Sequence, residues 1–261
     1  MPKWGLSKGD YFFDKKQNVI AKGLTSIKYM SANIAEELYN LAQNTDAKRF
    51  VDVLIAVNDS SLDARQLDIL IKLDYFSAFG NQRELLRIAD MFIDLFKCGD
   101  AKKVSREKID GTPLEPIISK YAVGVTKNGG VAKSYTLLDI GSILREAEDA
   151  IKSVGIEDLS DMTKVRNFAD IMGYVGYVSE KEEDRRKLCI LDVFPLVRKA
   201  DNKQFGYSII TKSIGSGKES RFTVVNKVYD ENPIHKGDII FCKSYEKNGQ
   251  YYRLTSFDKI Y

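Results

Sequence analysis

Ligands for metals are what this sequence has least of. Its three cysteines, Cys98, Cys189 and Cys242, stand far apart with no Cys-x-x-Cys pair, and a single histidine, His235, is available to assist them. A structural zinc needs about four such ligands at close spacing, so no metal or other cofactor is expected and the thiols are expected to stay reduced. Nowhere do two aspartates form an Asp-x-Asp arrangement, so that arrangement is not available to hold the two ions of a phosphoryl-transfer centre together. No apolar run approaches the roughly 20 residues that cross a bilayer, and the opening Met-Pro-Lys-Trp-Gly carries no apolar signal core. A cytoplasmic chain without membrane contact is therefore expected. Neither charge dominates: 40 Lys and Arg against 37 Asp and Glu leave a formal net charge of +3. Attraction to a polyanion must come from local patches.

What is present is enough apolar residue for real cores, 44% of 261 residues, in one large domain or two ordinary ones. Tyr11 to Phe13 and Val19 to Ala21, ending at Gly23, read as a small hairpin. Leu24 to Ile27 predicts a short helix, Lys28 to Ser31 a tight connection and Asn33 to Leu41 a second helix. Phe50 to Val57 continues the helical spacing. A second unit follows, with a helix from Leu62 that stops near Ser77 to Gly80 and another from Asn81 through Leu95. Lys97 to Pro116 reads as connector with short strands, helical periodicity returns over Leu137 to Ile151 and Met162 to Met172, and a charge run covers Glu180 to Lys187.

Beyond that run the pattern becomes β. Leu188 to Val197, Phe205 to Ile214, Ser220 to Val228, Asp238 to Tyr245 and Tyr251 to Phe257 are five strand-like segments separated by turn residues such as Asn248-Gly249. Five strands with a longer link after the third suit a small oligonucleotide-binding barrel, an OB-type fold.

Tyr11 to Leu38 (YFFDKKQNVIAKGLTSIKYMSANIAEEL) and Ser61 to Arg83 (SLDARQLDILIKLDYFSAFGNQR) resemble the paired helix-hairpin-helix region of bacterial DNA polymerase III alpha subunits. Lys133 to Asp139, Glu182 to Val193, Phe205 to Val224 and Lys236 to Lys243 are similar, in the same order, to the linker and OB domain that follow it. The resemblance implies an α+β fold: a tandem helix-hairpin-helix domain over 1–108 with small β elements, a connector with helices over 109–180, and a five-stranded OB-type β-barrel over 181–261. It also implies partners: duplex and single-stranded DNA, the sliding clamp and the clamp loader. The family's polymerase activity resides in a palm with three aspartates that nothing here matches, so the chain alone is expected not to be an enzyme. A truncated copy recruited to inhibit or adapt a protein partner is the alternative these residues leave open.

In a helix-hairpin-helix, the turn and the start of the second helix offer backbone N–H groups to a phosphate. Lys28, Ser31 and Asn33 occupy that place in the first unit, and Ser77, Asn81 and Arg83 in the second. Tyr29-Met30-Ser31 replaces the usual Gly-hydrophobic-Gly, which is expected to hinder positive φ and close phosphate approach. The second unit keeps Gly80 and is expected to be the better DNA contact. In the barrel, Lys212, Lys218, Arg221 and Lys243 are candidates for a basic rim beside Tyr207, Phe222, Tyr245, Tyr251, Tyr252 and Arg253. Gly215-Ser216-Gly217-Lys218 is not a Walker loop, since Lys212 stands where the first glycine belongs and Glu219 follows the lysine. Ala89-Asp90-Met91-Phe92 resembles the tail of a clamp-binding peptide, yet Ile88 replaces its glutamine and helical core packing is the expected role. Lys97, Lys102, Lys103, Arg106 and Lys108 form the most one-signed cluster, expected in a solvated loop.

Overall fold

Short-range signals set the first elements. In the computed structural model, which describes residues 2–15, 18–95, 103–179, 182–249 and 251–260, β1 (Phe12–Asp14) and β2 (Val19–Ala21) pair as an antiparallel ribbon with Phe13 opposite Ile20. The chain then crosses its own N-terminal segment, where Leu24 and Thr25 donate backbone hydrogen bonds to the carbonyls of Lys8 and Gly9. Glycine is required at Gly23, because a Cβ there would lie 2.4 Å from the Gly9 carbonyl oxygen. Cys98, Lys97, Lys102 and Lys181 lie outside the described residues.

A single 3-10 turn, Leu24–Ser26, stands where a first helix was expected. Ser31 caps α1 (Ala32–Asn44) by accepting the Ile34 amide. α2 (Phe50–Asn58) is apolar over most of its surface and is an inner helix, with Phe50, Val51, Val53, Leu54 and Val57 buried. α3 (Ala64–Lys72) opens with a reciprocal capping box between Asp63 and Gln66, and α4 (Gln82–Leu95) follows. The connector is more ordered than its composition suggests. β3 (Lys103–Ser105) leads into α5 (Arg106–Ile109) and then α6 (Glu115–Tyr121), which has Pro116 in its first turn, where a missing N–H costs no helical bond. β4 (Ala122–Val125) and β5 (Val131–Leu137) complete an antiparallel sheet of order β3-β5-β4, and α7 (Ile140–Ser153) closes this unit.

Chain contacts divide the molecule into two compact units, Met1–Leu159 and Ser160–Tyr261. The 109–180 stretch is thus shared between them, and α8 (Asp161–Met172) belongs with the second. That unit is built on β6 (Lys187–Val197), β7 (Gln204–Ser213), β8 (Glu219–Val225), β9 (Ile239–Asn248) and β10 (Tyr251–Lys259). They close into a barrel, β6-β7-β8-β10-β9 and back to β6, with β8 and β10 parallel and the other neighbours antiparallel. This strand order, with a helix between the third and fourth strands, is the OB topology. The third strand ends at Val225 rather than Val228, because α9 (Asn226–Glu231) turns Val228 and Tyr229 onto the barrel core of Ile190, Ile209, Val224 and Leu254. No helix among the described residues is long and apolar enough to cross a membrane.

Candidate nucleic-acid interface

The first hairpin runs from the 3-10 turn to α1. Met30 is buried while Lys28, Tyr29, Ser31 and Asn33 are exposed. Tyr29 takes the left-handed conformation at φ 68°, which costs a non-glycine residue roughly 1 kcal/mol. Two residues of α3 offset that cost. The Arg65 guanidinium lies 3.5 Å from the Tyr29 ring centroid, and the Gln66 side-chain amide donates to the Tyr29 carbonyl at 2.8 Å. The turn thus reaches positive φ without glycine, which corrects the expectation that it would resist. Behind it, Ser31 caps Ile34 at 3.3 Å, and the Ala32 and Asn33 backbone N–H groups have no acceptor among the described residues. Two orphan donors at the positive end of a 13-residue helix are what a phosphate oxygen takes.

The second hairpin uses its residues differently. Tyr75 and Phe76 are fully buried in an aromatic cluster with Trp4, Phe50 and Phe79, at ring separations of 4.8–6.4 Å. Asn81 and Glu84 form a reciprocal cap, the Asn81 amide donates to the Ile156 carbonyl, and the Gln82 backbone N–H donates to the Asp158 carboxylate at 3.1 Å. A carboxylate from the loop after α7 already sits where a phosphate would bind. Ser77 is exposed and Arg83 half-buried, but the helix start between them is filled, so the first hairpin and not the second is the open one. Along α4, Ile88, Ala89, Met91 and Phe92 are buried, so the clamp-like segment is core. Arg106, from the one-signed cluster, is committed to Ala132, Gly124 and Tyr135.

On the barrel, Lys218 and Arg221 share a groove of about 900 Å³ with Phe222, Tyr245, Tyr251 and Tyr252. Successive residues of a strand face opposite sides, yet Arg221 and Phe222 both line this groove. They meet because Phe222 is buried at the groove floor and Arg221 lies on its rim. Lys212 and Lys243 are not part of the groove, and Lys243 is paired with Asp258 at 2.6 Å. The residue missed by sequence reasoning is Arg185, which sits in the charge run before β6. In that run Arg186 forms a two-point pair with Asp184 and holds its carboxyl down at about 2, while Lys187 pairs with Glu182. Neutralisation of its neighbours singles out Arg185, which lines the groove. Burial pushes the Cys189 thiol up to about 12 and raises that of Cys242, so neither is a ready nucleophile.

A family model described as a helix-hairpin-helix motif matches residues 5–86. The first hairpin falls wholly inside it and the second as far as the start of α4. No curated protein matches the chain. The motif and the OB-type barrel together point to nucleic-acid binding in general.

Proposed function

We propose that this chain is a non-catalytic nucleic-acid-binding region that positions DNA for a replicative polymerase. In this reading the first hairpin holds duplex backbone and the barrel holds single-stranded template, as the resemblance to the C-terminal region of bacterial DNA polymerase III alpha subunits implies. The observation that carries it is the pair of unpartnered N–H groups of Ala32 and Asn33 inside the matched helix-hairpin-helix segment. Backbone donors of this kind fix a duplex without reading its bases. Sequence-tolerant and salt-sensitive affinity is therefore expected, falling with a slope of about −0.9 per phosphate neutralised on duplex DNA.

Fluorescence anisotropy with labelled duplex and single-stranded oligonucleotides, across a salt series, tests the binding. Affinity that ignores salt, or no affinity at low salt, would sink it. The polymerase setting has its own test. Adding the chain to a polymerase III alpha subunit truncated before its paired hairpins is expected to lengthen primer-extension products, and unchanged products would remove the setting while leaving DNA binding intact.

A further inference from the structure

We infer that the first hairpin prefers the end of a duplex to its middle, because Tyr29 stacks on the bare face of a terminal base pair. The inference rests on the nucleic-acid reading above and adds which form of duplex this hairpin selects. Tyr29 stands just before the Ser31 cap of α1, in the turn where a glycine would let a phosphate approach closely. Its ring is held outward instead. Tyr29 keeps the left-handed conformation at φ 68° and is 54% exposed, so a strained backbone carries a large aromatic side chain into solvent. Backbone strain of this kind persists only where the surroundings over-determine it, and it concentrates at ligand-contacting positions.

Two residues of α3 fix the ring. Gln66, itself buried, donates from its side-chain amide to the Tyr29 carbonyl at 2.8 Å, and the central carbon of the Arg65 guanidinium lies 3.5 Å from the ring centroid. At that separation the planar guanidinium lies flat on the ring, because edge-on its nitrogens would overlap the ring atoms. One face of Tyr29 is therefore covered, the other meets solvent, and the N–H edges of Arg65 point outward around the stack. Arg65 is exposed and has no carboxylate at ion-pair distance among the described residues, whereas Lys72 on the same helix is paired with Asp68. Such a stack accepts a third flat group: a nucleobase on the free face of the ring, with a cation beside it to attract the adjoining phosphate.

The geometry of a duplex selects its end. Along an uninterrupted duplex every base face is hidden by its neighbours, so Tyr29 gains no stacking there and its bulk keeps the sugar–phosphate backbone away from the turn. At a terminus the last base pair shows one bare face beside a backbone that the same hairpin can hold. Covering that face with the tyrosine ring removes apolar surface of both from water. A blunt end is enough, since the base that stacks is still paired.

The test uses the full chain and a pair of labelled probes of one sequence: a blunt duplex, and the same duplex closed at both ends by tight hairpin loops whose first bases stack on the terminal pairs and hide them. Wild-type affinity is expected to be about tenfold higher for the blunt duplex. Tyr29→Gly, in which glycine takes the positive φ without strain, is expected to abolish that preference. Tyr29→Phe keeps the ring and is expected to keep the preference. Matching thermal melts establish that both variants fold. If the wild type binds neither probe, the nucleic-acid reading falls and this inference with it. Equal wild-type affinity for the two probes overturns the end preference alone, as does a preference that Tyr29→Gly retains or that Tyr29→Phe loses.

Discussion

The two helical hairpins of the first unit share a sequence rhythm and part company at the start of their second helices. In the first, a hydrogen bond and a cation–π contact from α3 hold Tyr29 at positive φ, and the N-terminus of α1 keeps two donors with no acceptor among the described residues. In the second, the loop aromatics pack into the core and Asp158 fills the start of α4. One hairpin is kept open by a neighbour and the other is closed by one. Glycine content suggested the reverse order, which teaches that the availability of a helix N-terminus is decided by what tertiary contacts leave unsatisfied rather than by the turn residues alone.

The contrast can be broken where α7 supports the second half of the unit. Glu148 on α7 is fully buried, accepts from the Phe50 and Val51 backbone N–H groups at 3.2 and 3.1 Å, and pairs with Lys152 at 2.6 Å. Glu148→Ala leaves two buried donors without an acceptor and is expected to cost about 3 kcal/mol, read as a lower urea midpoint at constant slope. A loss below about 0.5 kcal/mol would show that α7 does not hold α2. Asp158→Asn sharpens the contrast, because the amide keeps an acceptor for Gln82 while removing the charge. It is expected to cost under about 1 kcal/mol and to raise duplex affinity about twofold to threefold; an unchanged affinity would mean that the carboxylate is not what closes the second hairpin. The smallest change concerns Tyr75, whose hydroxyl is buried with no hydrogen-bond partner among the described residues and whose ionisation burial pushes upward. Tyr75→Phe removes an unsatisfied polar atom and is expected to stabilise by about 0.5–1 kcal/mol, seen as a higher melting temperature. A destabilisation would point to a partner for that hydroxyl.

Much of this architecture is legible in the sequence because its signals are local. The five barrel strands follow from β-branched and aromatic runs between turns such as Asn248-Gly249, and the helix expected from Leu62 begins two residues later at Ala64, where Asp63 and Gln66 form its cap. Non-local facts were hidden. Pro116 looks like a connector residue until it is seen in the first turn of α6, and Val228 looks like strand until α9 turns it onto the core. Candidate cations divide in the same way. Lys243 is cancelled by Asp258 through a β9–β10 pairing that shifts register twice near Ser256, which spacing alone cannot reveal. Arg185 was hidden for the opposite reason, because it stands in a run whose charges cancel in sequence and cancel only around it in space. Composition does not mark it, since Glu182, Glu183 and Asp184 balance Arg185, Arg186 and Lys187 in number; only the pairing of Arg186 with Asp184 and of Lys187 with Glu182 separates it from its neighbours.

In the proposed function the open N-terminus of α1 takes the phosphate. Ser31→Asp tests it most directly, since aspartate caps a helix as well as serine does while giving the first hairpin the carboxylate that closes the second. Anisotropy of a labelled duplex at low salt is predicted to show affinity falling about tenfold with the melting temperature unchanged or higher. Duplex affinity equal to that of the wild type would contradict the account.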